Sequence, residues 1–310
     1  MPSFPFDILV VLGATATGKT HLAVELAKEL CGEVVSADSR QVYRGMDIGS
    51  GKDLHEYGEI PYHLIDIADP AEEYHLFNYQ KDCFKTIAEI KSRGKLPILT
   101  GGTGLYIESV LSGYKMVEVG KNTRLRLELD ALTDHQLQER LLRLTPQLHN
   151  TTDLIERNRL YRAIEIAEAR SDLALQPELY PELTTLNIGV DWQRHELQKR
   201  IDIRLKERLE SGMIEEVSGL NKAGVTYELL ELRGLEYRFI AQYLQGKINY
   251  NDMNQKLSSA IKKFAKRQGT WFRRMERNGH TIHWVPGNQN PAAASIQIIS
   301  QVINDPEKQS

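Results

Sequence analysis

The sequence Gly13-Ala14-Thr15-Ala16-Thr17-Gly18-Lys19-Thr20 decides the fold of this 310-residue chain. It follows a β-rich apolar segment, Phe6 to Leu12, and precedes a helical one, His21 to Leu30. This is the strand, loop and helix context that a phosphate-binding P-loop requires. The glycines let consecutive amides point inward, and the helix amino end adds partial positive charge. In this context Lys19 is expected to meet phosphate oxygens and the Thr20 hydroxyl to ligate Mg²⁺.

The segments around this loop alternate between strand-like and helix-like patterns. Glu33 to Ala37 has a second strand pattern, a helix is predicted from about Asn78 to Arg93, and Leu96 to Thr100 has a third buried-strand pattern. Strands that alternate with helices form a parallel sheet covered on both faces, with ligands at the carboxyl ends of the strands. The expected fold class is therefore α/β, with a P-loop NTPase-like parallel sheet flanked by helices.

The pattern changes after Gly113. From Arg124 to Arg170 the sequence is rich in Leu, Arg and Glu at helical spacing, which predicts an all-helical insertion domain. After a return loop at Gln176 to Glu182, strands are expected at Thr184 to Val190 and Thr281 to Val285. We therefore divide the chain into a first part of the P-loop core at 1–115, a helical insertion at 116–183, and the completion of the core with basic carboxyl-terminal helices at 184–310.

Composition predicts a globular, cytoplasmic protein, and we expect a monomer although the sequence does not determine the oligomeric state. Hydrophobic residues make up 41% of the chain, enough to bury a core, and no run approaches the length of a membrane span, so no membrane partner is expected. Cys31 and Cys83 have neither metal-ligand spacing nor the density of a disulfide framework, which favours ordinary apolar roles. The net charge of -3 argues against indiscriminate binding to nucleic acid.

One segment departs from this neutral balance. The segment from Lys256 to Arg277 contains eight basic residues and a single acid, Glu276. The segment also carries an apolar stripe, so a plain surface helix is one interpretation. Eight cations exceed what solubility needs, and we therefore favour contact with an RNA backbone. The basic residues are Lys256, Lys262, Lys263, Lys266, Arg267, Arg273, Arg274 and Arg277.

A P-loop does not show which bond an enzyme breaks. The positions of the acidic residues narrow the possible reactions. An ATPase or GTPase normally carries a strand that ends in a metal-holding aspartate, whereas Leu96 to Thr100 runs into Gly101-Gly102-Thr103-Gly104. The acid instead follows the second strand, as Asp38. At that position Asp38 suits a general base for an acceptor nucleophile. It suits a cap of the following turn equally well, and the residues alone leave both open.

Four blocks in order resemble the tRNA dimethylallyltransferase family. They are Gly13 to Thr20, Asp38 to Gly49, Pro61 to Asp66 and Gly101 to Tyr106. The likeness continues through Arg200, Ile201, Arg204, Tyr237, Arg238 and Lys266 to Arg273, and is weakest between Tyr114 and Leu183. This chain has Ala14 and Thr17 where the commoner family form has Pro and Ser, and Tyr114 to Thr123 lacks the family's Pro and Asp pattern.

The resemblance implies a Mg²⁺-dependent transfer from dimethylallyl pyrophosphate to the N6 amine of the adenosine 3′-adjacent to the anticodon in tRNA. Asp38 then orients the amine and takes its proton, and Thr103 lies near the reacting centre as a hydroxyl donor. Lys19, Thr20 with Mg²⁺, and Arg200 serve the pyrophosphate. The resemblance also implies contacts with the tRNA anticodon stem-loop from Asp38, Ser39, Arg40, Gln41, Thr103, Arg126, Asn158, Arg159, Leu160, Tyr161 and Arg162.

Other functions share parts of this pattern. An enzyme that prenylates free adenylate would share the P-loop and the aspartate, but the helical insertion and the basic segment favour tRNA. A small-molecule kinase would use Asp38 as the base for a hydroxyl acceptor and consume a nucleoside triphosphate. A non-enzymatic P-loop protein that binds RNA would leave Asp38 and Thr103 without a task. Arg200 also suits a solvated helix face, and Asn158 to Arg162 an ordinary amphipathic helix.

Overall fold

The computed structural model describes residues 4–146, 157–169 and 179–304. They divide into two compact units, Met1–Ser112 with Pro181–Ser310, and Gly113–Tyr180. The larger unit holds a six-stranded parallel sheet in the order third, second, fourth, first, fifth, sixth. The strands are β1 (Ile8–Gly13), β2 (Gly32–Ser36), β3 (Tyr62–His63), β4 (Leu96–Gly101), β5 (Thr185–Asp191) and β6 (His283–Pro286). The predicted α/β class is confirmed.

The helices of the described residues alternate with these strands and extend beyond them. None of them has both the length and the apolar composition needed to cross a bilayer. They are α1 (Lys19–Leu30), α2 (Leu76–Ser92), α3 (Gly104–Leu111), α4 (Thr123–Asp130), α5 (Asp134–Leu144), α6 (Arg157–Ala169), α7 (Arg194–Glu210), α8 (Met213–Lys222), α9 (Tyr227–Leu232), α10 (Leu235–Leu244), α11 (Tyr250–Arg277) and α12 (Pro291–Ile303).

The sheet is buried on both faces, because its strands are apolar at consecutive positions. Leu9 and Val11 of β1 pack in one cluster with residues of α1 and α12. Val10 and Leu12 alternate with them, point to the opposite face and are equally buried. Helices α2, α3 and α11 also contact strands of the sheet. Such two-sided burial is what a parallel sheet requires.

Some predicted boundaries of helices and strands differ from those in the structure. Helix α2 begins at Leu76 with His75 as its N-cap, three residues before the expected cap at Asn78. Strand β3 was not predicted, because two residues are too few to show a strand pattern. It pairs with β2. The predicted return loop at 176–182 lies partly outside the described residues, and its described part, 179–182, has no regular structure.

The described residues of the smaller unit form helices and no strand. Asn122 caps α4 through its side chain, and Thr133 and Gln136 form a reciprocal capping box at the start of α5. The three helices share one apolar core, made of Leu125, Leu129, Leu137, Leu141, Leu160, Tyr161 and Ile164.

Candidate active site

Three loops meet at the carboxyl edge of the sheet. The P-loop follows β1, the loop from Gly101 to Gly104 follows β4, and the loop that carries Asp38 follows β2. Because β2, β4 and β1 are parallel neighbours, these loops lie side by side. A cavity of about 540 Å³ opens over them, and its walls include Lys19, Thr20, Asp38, Arg200 and Gln268.

The P-loop curls through two residues in the left-handed region, Ala16 at φ 64° and Gly18 at φ 88°. Thr17 Oγ1 donates to the Ala14 carbonyl at 2.9 Å, and Lys19 Nζ lies 3.5 Å from the same oxygen. Gly18 is the N-cap of α1 and has no side chain to satisfy the first helical amides. Those amides are therefore available to an anion in the cavity.

Two side chains from the segment after β5 donate hydrogen bonds to the backbone of the P-loop. Arg200 Nε donates to the Ala16 carbonyl at 2.8 Å, and Trp192 Nε1 donates to the Thr17 carbonyl at 2.9 Å. The Arg200 guanidinium also lies over the Trp192 ring, 4.3 Å from its centroid. The structure thus places Arg200 against the P-loop, and its role toward the pyrophosphate stays a prediction. No sequence pattern had indicated Trp192.

Lys19 is short of a negative partner in this arrangement. Burial lowers the pKa of Lys19 to about 8, Asp38 opposes that shift, and the charges of Arg204, Arg40 and Arg208 add to it. A bound diphosphate would supply the missing negative charge and raise the pKa again. The cavity is therefore electrostatically prepared for an anion beside Lys19.

Asp38 caps a turn and also lines the cavity, so its position is compatible with both roles that the sequence left open. Its Oδ1 accepts from the Arg40 amide at 3.0 Å, which is a turn cap, and its carboxylate lines the cavity. Thr103 fixes the neighbouring loop: its Oγ1 accepts from the Ser39 amide at 3.1 Å and its amide donates to the Ala37 carbonyl at 3.2 Å. Asp38 and Thr103 are thus brought together at adjacent strand ends.

Arg40 and Gln41 point inward. Arg40 Nη1 pairs with Glu236 at 3.0 Å, and its guanidinium lies 5.1 Å from the centroid of the Phe264 ring. Gln41 accepts from the Ser36 hydroxyl at 2.8 Å and donates its amide to the Gly51 carbonyl at 2.9 Å. Both side chains are therefore engaged within the protein, and their contact with tRNA stays a prediction.

The candidate tRNA residues of the smaller unit divide by burial. Leu160 and Tyr161 belong to its apolar core, as the alternative of an ordinary amphipathic helix had suggested. Arg126 donates to Glu165 at 2.7 and 3.0 Å, and Arg162 lies 3.4 Å from the same carboxylate. Asn158 and Arg159 are exposed. A surface contact made by this set would thus centre on Asn158 and Arg159.

The basic helix α11 turns one face inward and another outward. Its buried face is formed by Met253, Leu257, Ile261, Ala265, Gln268, Phe272 and Met275. Lys262 pairs with Asp202 at 2.6 Å and Arg274 with Glu108 at 2.7 Å. The remaining cations of the segment are exposed: Lys256, Lys263, Lys266, Arg267, Arg273 and Arg277.

Gln268 is a site residue that sequence reasoning missed. It is 6% exposed, its Oε1 accepts from the Thr15 amide at 2.8 Å, and its Nε2 donates to the Gly102 carbonyl at 2.8 Å. A Cβ at Gly102 would lie 2.4 Å from that nitrogen, so a larger residue there would displace the Gln268 side chain. Gln268 therefore ties the P-loop to the loop after β4. The available signal was a polar residue within the apolar face of α11.

Replacing Gln268 by Ala is expected to weaken binding of inorganic pyrophosphate by about 3- to 10-fold, because the P-loop loses one buried hydrogen-bond partner and its preorganisation. Isothermal titration calorimetry measures the change directly. The matched control is Gln255→Ala, which removes an exposed glutamine from the same helix. Equal affinities for both variants would show that Gln268 does not organise the P-loop.

A metal ion would have to share its ligands with a substrate. The described residues contain no group of three or more His, Cys, Asp or Glu side chains placed to hold one. Thr20 lines the cavity beside Lys19. One hydroxyl completed by diphosphate oxygens and water suits Mg²⁺, which prefers oxygen ligands and keeps several waters. The site therefore fits a Mg²⁺ ion that arrives with a diphosphate.

The fold and the site together define a P-loop protein with a carboxylate beside its phosphate-binding loop. The sequence model of the IPP transferase family matches residues 41–275, and that of an isopentenyl transferase family matches residues 6–59. The chain is 56% identical to the tRNA dimethylallyltransferase 1 of Geotalea uraniireducens, over 94% of this chain and 97% of the relative. It is 53% identical to the tRNA dimethylallyltransferase 2 of Trichlorobacter lovleyi, over 96% and 98%.

A solved structure agrees with these sequence relatives. The full-length tRNA isopentenylpyrophosphate transferase of Bacillus halodurans superposes with a TM-score of 0.71 at 30% identity, over 97% of each chain. The chain therefore belongs to the IPP transferase family, among the tRNA dimethylallyltransferases, and is a prenyltransferase. The family that the four sequence blocks indicated is confirmed.

Proposed function

We propose that this protein transfers the dimethylallyl group of dimethylallyl pyrophosphate to the N6 amine of the adenosine 3′-adjacent to the anticodon in tRNA, giving N6-isopentenyladenosine. One observation carries the proposal: Asp38 and Lys19, which follow β2 and β1, line a single cavity. A base for the acceptor and a cation for the leaving group would then act in the same cavity. Family membership supports the same substrates.

The chemistry follows from this placement. The adenine amine attacks the allylic carbon, a new C–N bond forms, and the C–O bond to pyrophosphate breaks. The amine is a poor nucleophile, so alignment and removal of its proton both matter, and the Asp38 carboxylate accepts that proton. Lys19, Arg200 and the first amides of α1 stabilise the charge that develops on the leaving group. Mg²⁺, held by Thr20 and the diphosphate, would add further positive charge there.

The acceptor proposal rests on charge. Six exposed cations of α11 and the exposed Arg159 of the smaller unit are suited to the phosphates of an RNA stem. Dimethylallyl pyrophosphate is a small anion and needs no such surface. We infer that the protein acts on tRNA as a monomer in the cytoplasm.

Mass analysis of nucleosides from tRNA incubated with the protein, Mg²⁺ and dimethylallyl pyrophosphate tests the proposal. N6-isopentenyladenosine in the digested tRNA is the expected product. Parallel reactions contain free adenylate as acceptor, or ATP in place of the prenyl donor. Efficient prenylation of adenylate with inert tRNA would overturn the choice of acceptor. Consumption of ATP with phosphoryl transfer would overturn the choice of reaction.

Charge reversal at Lys263, Lys266 and Arg273 is expected to raise the KM for tRNA by at least about 10-fold at low salt and to flatten its salt dependence by roughly 0.7–0.9 in log–log slope for each lost phosphate contact. All three side chains are exposed, so the fold should persist. Lys262 is left unchanged because it pairs with Asp202. Steady-state kinetics at two salt concentrations measure both effects.

The matched control reverses three exposed lysines on or next to α1 and α2, Lys28, Lys85 and Lys95. It changes the net charge equally while leaving α11 intact. The KM for dimethylallyl pyrophosphate should change little in either variant, since exposed charges more than about 10 Å away are screened at 0.1 M salt. Equal effects of the two triple variants on tRNA would contradict a specific role of α11.

A further inference from the structure

Arg208 is a buried cation that has no role in the proposed reaction. It lies in α7, eight residues after Arg200, and lines the same cavity with a side chain that is 13% exposed. Its Nη2 atom is buried and has no hydrogen-bond partner among the described residues. The carboxylate that faces it, Asp53, has its Oδ2 3.7 Å away, too far for a hydrogen bond, and Arg204 donates to that same oxygen.

The backbone opposite Arg208 is shaped to admit its guanidinium. A Cβ on Gly51 would lie 1.6 Å from Arg208 Nη2 and 2.9 Å from Arg204 Nη2, so any larger residue would displace both arginines. Gly51 also has φ 66°, which glycine adopts without strain. Its carbonyl is held by Gln41 at 2.9 Å. The loop around Gly51 therefore leaves room for the guanidinium at this position.

A buried cationic donor without a hydrogen-bond partner costs free energy, and such costs are characteristic of binding sites. Burial, followed by the charge of Arg204, lowers the pKa of Arg208 to about 10. Arg208 also lowers the pKa of Lys19, so the two charges act on the same space. An anion bound between them would stabilise the charged forms of both side chains.

Arg208 and Arg200 line different parts of the same cavity. Eight residues of α-helix separate their Cα atoms by about 12 Å along the axis of α7. Arg200 donates to the Ala16 carbonyl of the P-loop, whereas Arg208 lies against Gly51. The two arginines therefore line the cavity at different points.

We propose that Arg208 is a binding residue for the diphosphate of the prenyl donor, which its guanidinium contacts in the cavity that it lines together with the P-loop. The proposal rests on the proposed function for the identity of the donor, but the contact itself is with a diphosphate. The fork of an arginine binds such an anion with defined geometry, which a lysine does not reproduce.

Isothermal titration calorimetry with inorganic pyrophosphate and Mg²⁺ tests the assignment without any RNA. Arg208→Met is expected to raise the Kd for pyrophosphate about 10- to 100-fold, as for loss of a hydrogen bond to a charged group. Arg208→Lys should lose part of that affinity. Lys206→Met is the matched control, because it removes one charge from an exposed position of the same helix and should leave the Kd unchanged.

The outcomes are separable. If Arg208→Met does not fold, as judged by circular dichroism and thermal melting, then Arg208→Lys decides, and a Kd equal to that of the wild type overturns the proposal. An unchanged Kd for pyrophosphate together with a raised KM for tRNA also overturns it, since Arg208 would then serve the acceptor. A wild-type protein that binds no pyrophosphate would contradict the proposed function itself, and this assignment with it.

Discussion

Asp38→Asn is expected to lower the turnover of tRNA prenylation by about 10²–10⁴, the usual contribution of a general base. The amide of Asn has nearly the shape of the carboxylate but cannot take the proton that the amine must lose. The Kd for pyrophosphate should change much less than turnover, because the proposed role of Asp38 is toward the acceptor. Single-turnover kinetics with a saturating prenyl donor measure the chemical step.

The comparison of Asp38→Asn with Asp38→Ala separates the base from the cap. Asp38 accepts from the Arg40 amide at 3.0 Å, and Asn is as good a capping residue as Asp, whereas Ala is not. If Asp38 served only as a cap, Asn would retain nearly full turnover while Ala lost both activity and thermal stability. We expect instead that both variants lose turnover to a similar extent and that only Ala melts at a clearly lower temperature.

The sequence predicted the parts of the site that depend on local order. A P-loop needs only a strand, a glycine-rich turn and a helix in succession, and all three occur between Ile8 and Leu30. The proximity of Asp38 follows in the same way, because the carboxyl ends of parallel strands share one edge of the sheet. The roles assigned to these residues remain predictions that the kinetic experiments decide.

Residues that reach the site across long separations could not be predicted in this way. Gln268 contacts Thr15 across 253 positions, and Trp192 contacts Thr17 across 175. Their placement depends on how α11 and the segment after β5 pack against the P-loop. A helical pattern shows which face of α11 is buried, but it does not show which neighbour that face meets.

Side-chain direction was the other limit. The resemblance grouped Leu160 and Tyr161 with exposed neighbours, whereas the structure buries both in the core of the smaller unit. Arg40 was grouped with the tRNA contacts, and the structure holds its guanidinium between Glu236 and Asp38. Contiguous residues of a motif can face opposite sides of an element, so a role carried over as a block has to be tested residue by residue.

Lys19→Met is expected to lower kcat/KM for dimethylallyl pyrophosphate by about 10²–10³, the range for removing one strong stabiliser of a developing negative charge. Both KM and kcat should change, because Lys19 meets a charge that is present in the bound donor and grows as pyrophosphate leaves. Lys28→Met, at an exposed position of the same helix, is the matched control. A defect confined to the KM for tRNA would contradict this assignment.

The same residue makes binding of the donor depend on pH, with a definite sign. Burial lowers the pKa of Lys19 to about 8 in the free protein, and a bound diphosphate raises it, so the protonated form binds more tightly. As the pH rises through 8, the free protein loses this proton, and the affinity for pyrophosphate should fall by up to about tenfold per pH unit. The ratio of the Kd of Lys19→Met to that of the wild type, taken at pH 7, 8 and 9, cancels the ionisation of the ligand itself. That ratio should shrink as the pH rises, and a ratio that stays constant would show that Lys19 keeps its proton throughout this range.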